Sequence, residues 1–334
     1  MIRNGLLGAA AAGLRSAASA QGPTASPATP DGAPADWTRR GQVTLEPRLP
    51  GKPHAGKVLA AIQPHADDIP LFAGGLVAKL IQEGYTGYLI RATNDEMTGG
   101  GTRQEGAFHN EQDNDAVAKA LGLSRTFNLA YRNHRMDEMS PQDLRGQLIL
   151  LFRMLRVDTI VSYDHWGMYE ENPDHYFTAA AVESAAWMAG MAKDYPEQLD
   201  AGLKPKSVLE KYYYARGPQI ANRVVDIGGS VAQKVASIRA MVTQGPGGEA
   251  GARLRKQLAM QKKRLPILGD DDETANLRYI EHIVLDADSM YTRGVPSDRE
   301  IGKEYGFEWA ERFHYVGAPA SRLQEYIAQN AVAL

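Results

Sequence analysis

The chain contains no cysteine among its 334 residues. Disulfides, thiolate metal sites, a cysteine nucleophile and a lipid-modified N-terminal cysteine are therefore excluded, and any transition metal has to be held by His, Asp or Glu. An excess of either charge is missing too. Lys and Arg number 37 against 40 Asp and Glu, and the resulting net charge of −3 offers no electrostatic basis for binding nucleic acid or an acidic membrane surface. No segment approaches the roughly 20 apolar residues of a membrane span. There is no Gly-x-Gly-x-x-Gly, no Walker loop and no internal repeat. A hydrophobic content of 43% with 23% charged residues is that of a globular chain, long enough for one large α/β domain with additions or for two small domains.

The N-terminus is set apart by composition. Arg3, an Ala/Gly/Leu stretch from Gly5 to Leu14 and the small residues Ala18-Ser19-Ala20 resemble a secretory signal with an A-x-A-like cleavage site over residues 1–20. The expected location is then periplasmic or extracellular, and cytoplasmic if the leader is not a signal. Residues 21–40, mostly Pro, Ala, Gly, Ser and Thr, read as a flexible linker. The expected core occupies residues 50–245, with a C-terminal extension over 246–334 packed on it.

The core is organised around Val58-Leu59-Ala60-Ala61-Ile62-Gln63-Pro64-His65-Ala66-Asp67-Asp68. The apolar run predicts a strand buried on both faces, followed by a helix from Pro70 to Glu83. Further strands are expected at 88–93, 126–129 and 158–163, with helices at 110–121 and 141–156 between them. The product is a Rossmann-like α/β fold, a mainly parallel sheet with helices on both faces, plus an α-rich C-terminal extension. In open α/β sheets ligands bind beyond the carboxyl ends of the strands, which is where His65, Asp67 and Asp68 fall. Adjacent carboxylates beside a histidine repel unless a cation or a helix N-terminus offsets them. A divalent metal would do this, and so would a simple helix cap by Asp67 or Asp68.

A second polar cluster follows the fourth strand. Asn172 suits a helix N-cap, Pro173 the first helical position, and His175 then lies in the first turn facing the same crevice. The polar end of the second strand, with Asp95, and the glycine-rich stretch 97–106, whose one cation is Arg103, are candidates for substrate contact.

Pro64-His65-Ala66-Asp67-Asp68 together with Asn172-Pro173-Asp174-His175 resembles the PIG-L/LmbE-like family of metal-dependent N-deacetylases. That family carries His-Pro-Asp-Asp-Glu after its first strand and a later His-Pro-Asp-His on a Rossmann-like fold. The likeness covers about Lys57 to Gly190. It implies that His65, Asp68 and His175 ligate zinc, or another divalent metal such as Fe2+, while Asp67 is the general base. Two imidazoles and a carboxylate leave an open position on a tetrahedral ion, where bound water is acidified. The implied reaction removes acetyl from a small N-acetylated sugar or glycoconjugate.

Three residues depart from the pattern: Ala66 replaces proline, Ile69 replaces glutamate, and Asn172 replaces the first histidine of His-Pro-Asp-His. Asparagine donates a hydrogen bond to an oxyanion but does not titrate, so His165 or Asp67 would have to supply the amine's proton. Asn110 and Asp113 stand where relatives commonly carry Arg and Glu. Two other readings of the same residues are a metal-containing sugar-binding protein impaired in catalysis, and an iron-dependent oxygenase using His65, Asp67 and His175 on a double-stranded β-helix.

Overall fold

The computed structural model describes residues 43–287, 295–318 and 323–333, and the leader and linker expected over residues 1–40 lie outside the described residues. A short strand β1 (Thr44–Glu46) precedes β2 (Val58–Gln63), the apolar run. Side chains alternate across a strand. In β2 this sends Leu59 and Ala61 into one core and Ala60 and Ile62 into another on the opposite face. Both faces are covered, which is why the run is apolar throughout.

The helix expected after β2 is divided at Ala73, whose φ of −147° leaves the helical region, into α1 (Asp68–Phe72) and α2 (Gly74–Gln82). The N–H groups of Gly75 and Leu76 that the break frees are accepted by Glu311 at 2.9 and 2.7 Å. The buried Lys234 ammonium, 2.7 Å away, balances that carboxylate. Next come β3 (Thr86–Thr93) and α3 (Arg103–Leu121). The helix begins at Arg103 rather than Asn110 because Thr102 and Glu105 form a capping box, with Thr102 N–H donating to Glu105 at 2.8 Å and Glu105 N–H to Thr102 at 3.3 Å.

The remaining elements are β4 (Arg125–Tyr131), α4 (Pro141–Leu155), β5 (Thr159–Tyr163), α5 (Pro173–Met188), α6 (Pro196–Asp200), β6 (Glu210–Tyr214), β7 (Arg223–Asp226) and α7 (Val231–Ala240). The C-terminal extension holds α8 (Ala250–Met260), α9 (Asp272–Tyr279) with a π-helical continuation Ile280–Ala287, α10 (Asp298–Tyr305), β8 (Ala310–Val316) and α11 (Leu323–Asn330). It does more than pack on the core. Strand β8 enters the sheet between β6 and β7, antiparallel to both, and every other pairing is parallel. Trp309 before it is buried, and His314 within it reaches Asp164 at 3.3 Å.

Strand order is β1-β7-β8-β6-β5-β2-β3-β4. The chain runs from β2 outward through β3 and β4, then crosses back to lay β5 on the other side of β2. This reversal opens a crevice at the carboxyl ends of β2 and β5, the position such sheets use for ligands. The double-stranded β-helix required by an oxygenase triad is not formed by the described residues. No helix among them is long and apolar enough to cross a membrane.

Candidate metal centre and its surroundings

The loop after β2 is held rigidly by its neighbours. Thr93 at the end of β3 bonds the Pro64 carbonyl through its N–H at 3.0 Å and its hydroxyl at 2.8 Å. Ala66 N–H donates to Asp95 at 3.0 Å, and Ile69 N–H donates to Gln63 at 2.9 Å. Gln63 is itself tied to Asn114 of α3 at 2.8 Å. The Asp-Asp pair does not cap α1. Asp67 occupies the cap position without any side-chain capping bond, while Asp68 turns back to accept the His65 N–H at 2.8 Å and the Tyr163 hydroxyl at 2.9 Å.

On the other side of the crevice, Asn172 caps α5 by accepting the Asp174 N–H at 3.0 Å, with Pro173 at the first helical position. His175 is thereby aimed at His65. Its Nε2 lies 3.0 Å from His65 Nδ1 and 3.6 Å from Asp68 Oδ1, and His65 Nδ1 is 3.5 Å from Asp68 Oδ2. Ligands around a tetrahedral zinc sit roughly 3.3–3.4 Å from one another, given metal–ligand distances near 2.0–2.1 Å. The three buried groups thus have both the donor chemistry and the spacing of a divalent-metal site.

Each imidazole is oriented from behind. His65 Nε2 is 3.0 Å from Asp174, whose carboxylate also accepts Asn133 Nδ2 at 3.0 Å and the N–H groups of His134 at 2.7 Å and Met136 at 3.3 Å. That leaves His65 Nδ1 to face the cluster. His175 Nδ1 lies 3.0 Å from Glu170 Oε2, and its ring stacks on Tyr163 with centroids 4.3 Å apart.

The electrostatics follow from burial and charge. Burial alone would lower the His65 pKa, but the carboxylates of Asp174 and Asp68 outweigh it and raise the pKa well above the usual value. Burial works against ionisation of Asp68 as well, yet His175 and His65 hold its pKa below normal. At Asp67 the balance reverses. Burial and the neighbouring Asp68 outweigh the pull of His65 and push it up to about 8.

The other expected site residues fall in different places. Arg103 is exposed at the start of α3, with no hydrogen bond to the cluster. Asp95 is fully buried, and its carboxylate is taken up by Ala66 N–H and by Arg91 at 3.1 Å, so it braces the loop. His165 is exposed, its ring 5.4 Å from that of Trp166 and not hydrogen-bonded to the cluster. Three neighbours of the cluster, Tyr163, Glu170 and His134, belong to no motif. His134 is exposed beside the cluster at a φ of +60°, its ring 6.3 Å from that of His65. A tyrosine ending a strand and a glutamate two residues before a helix cap carry no distinguishing pattern. Only the backbone strain at His134 marks it, and that is a property of the fold.

Residues 60–186 match the family model described as PIG-L: GlcNAc-PI de-N-acetylase. The chain is 26% identical over 194 residues to the diacetylchitobiose deacetylase of Thermococcus kodakarensis, an alignment covering 57% of this chain and 71% of that protein. Its fold is similar to that of the N,N'-diacetylchitobiose deacetylase of Pyrococcus horikoshii, with a TM-score of 0.59 and 21% identity over 80% of this chain and 88% of the other. It is also similar to that of the 4-carboxy-2-hydroxymuconate hydratase of Pseudomonas putida, with a TM-score of 0.55 and 15% identity over 79% and 98% of the two chains. One fold thus carries a deacetylase and a hydratase, and reaction type has to be argued from the site. Both halves of the His65, Asp68 and His175 cluster lie inside residues 60–186, the stretch that is similar to the PIG-L de-N-acetylase family model.

Proposed function

We propose that the protein is a metal-dependent deacetylase that hydrolyses the N-acetyl group of a sugar or glycoconjugate. The observation that carries this reading is a cluster of two imidazoles and one carboxylate at mutual distances of 3.0–3.6 Å, with a second carboxylate, Asp67, adjacent and making no capping bond. His65, Asp68 and His175 would hold the ion, with zinc favoured by the donor set and Fe2+ as the other candidate. A cation there supplies a Lewis acid and makes the attacking water acidic near neutral pH.

The chain's own groups then have defined tasks. Asp67 takes a proton from the water as its oxygen attacks the amide carbonyl carbon. The C–N bond breaks as Asp67 returns the proton to the departing nitrogen, and the acetic acid formed passes its remaining proton to the free amine or to solvent and leaves as acetate. Asn172 has already used its carbonyl oxygen to cap α5, and its amide nitrogen, 3.4 Å from His175 Nε2, has a second hydrogen to offer an oxyanion. Placing the proton on Asp67 rather than His165 rests on the outward position of His165. Residues 1–20 support an exported enzyme.

The test is amine release from N-acetylglucosamine, diacetylchitobiose and a glycoconjugate panel after loading with Zn2+ or Fe2+, with acetate and amine expected in equal amounts. Saturable sugar binding without release would favour the sugar-binding alternative. Metal uptake has its own signature. Without a cation, His65 is raised well above its usual value and Asp67 to about 8, so both carry a proton at pH 7 that the cation must displace. Binding should therefore release protons, and affinity should rise as pH increases from 6 to 8, by up to about tenfold per pH unit for each proton released. Calorimetry in buffers of different ionisation enthalpy measures the release. Affinity independent of pH over that range would contradict the assigned protonation.

A further inference from the structure

The glutamate that closes the family's His-Pro-Asp-Asp-Glu pattern is here Ile69, fully buried in an apolar core. No carboxylate in this position can orient a ligand. Across the crevice, the loop between β5 and α5 brings Glu170 to His175, with Glu170 Oε2 3.0 Å from the ring nitrogen that faces away from the cluster. Glu170 is held on its other side by Arg216, just beyond β6. The guanidinium donates from Nε to Oε2 at 2.9 Å and from Nη2 to Oε1 at 2.6 Å, and Oε1 also accepts the Asn172 N–H at 2.9 Å. The residue before it, Tyr169, is held at a φ of +60°, a conformation a bulky side chain adopts only when its surroundings impose it.

We infer that Glu170 and Arg216 are positioning residues for the metal centre, setting a fixed negative charge against His175 on the side away from His65. The inference rests on the proposed metal-dependent function. A two-point Arg–carboxylate fork fixes the plane of the carboxylate as well as its location. With its negative charge 3.0 Å from His175 Nδ1, the fixed carboxylate favours the tautomer that carries its hydrogen there and leaves the Nε2 lone pair toward His65 and Asp68. A surface ion pair would have no reason to place one oxygen on a buried imidazole. The substitution at Ile69 is thereby balanced by a carboxylate supplied from another loop, with an arginine to hold it.

The experiment measures zinc affinity by chelator competition in the full chain, and the His175 tautomer by long-range proton–nitrogen NMR of the metal-free protein. Glu170→Gln keeps the size but removes the charge, and Arg216→Met removes the fork while leaving Glu170 in place. Loss of such an orienting partner costs about 10- to 100-fold in metal affinity. Glu170→Gln is expected to fall in that range, Arg216→Met by less, and in both the Nδ1–H tautomer of His175 should lose its dominance while the thermal midpoint of the metal-free protein changes little. Affinity within twofold of wild type in both variants, with the tautomer unchanged, would overturn the inference. If Glu170→Gln does not fold, Arg216→Met alone decides by the same criteria. Wild type that binds no zinc would instead be a failure of the proposed function.

Discussion

Asp67→Asn should retain metal and lose roughly 100- to 10,000-fold in kcat, the range spanned by general bases. The expectation comes from how the two adjacent carboxylates are used. Asp68 is engaged by the His65 N–H, the Tyr163 hydroxyl and the two imidazoles, so its charge is committed to the cluster. Asp67 makes no capping bond, and burial and Asp68 push its pKa up to about 8 in the metal-free protein. A nearby cation would favour its ionised form, leaving a base free to take a proton from water. Asparagine has nearly the same shape and cannot accept that proton. It is also uncharged, as Asp67 is at pH 7 in the metal-free protein, so the variant should fold as well as the parent. Metal content by elemental analysis, with steady-state rates on the best substrate, separates the two properties. Activity within a few-fold of wild type would exclude Asp67 as the base.

His175→Ala should remove most of the bound metal. Its Nε2 is 3.0 Å from His65 Nδ1 and 3.6 Å from Asp68, so truncation leaves two donors where three converged. It also takes away a ring stacked on Tyr163 and leaves Glu170 with Arg216 as its remaining charged partner at close range. Activity should be lost with the metal, since the ion that acidifies the water is gone. The measurement is occupancy after dialysis against a defined zinc buffer, with circular dichroism to confirm that the fold persists. Full occupancy in a folded His175→Ala protein would remove His175 from the ligand set.

Fold and site differ in how much of each can be read from residues alone. Strand β2 is legible because both its faces are buried, so its apolar run is unbroken. The start of α5 is legible because an N-cap Asn and a first-turn Pro are local signals. The division of the first helix at Ala73 is not, since the carboxylate that receives its freed N–H groups is Glu311, far along the chain. Nor is β8, whose place between β6 and β7 depends on a sheet edge that exists only after the rest has folded. Asp95 has a structural task that residue order alone does not show. Its polar position at the end of a strand suggests substrate, but a strand end also needs groups to satisfy the next loop's N–H donors, and Ala66 claims it.

The sequence by itself determined which chemistry was open to this protein. With no thiol available, a site of His and Asp was required, and two motifs placed at the ends of two buried strands brought their residues to the same crevice. It also determined that Asn172 could donate but not titrate, because that depends on residue type alone. Tertiary structure decided the division of labour. Asp67 and Asp68 are chemically identical neighbours, and one is drawn into the cluster by His65 and Tyr163 while the other is left outside it. Likewise, which face of each imidazole turns inward is settled by Asp174 behind His65 and Glu170 behind His175. A carboxylate acts on whatever lies within about 3 Å of it, and the chain sets that distance only when distant loops pack together.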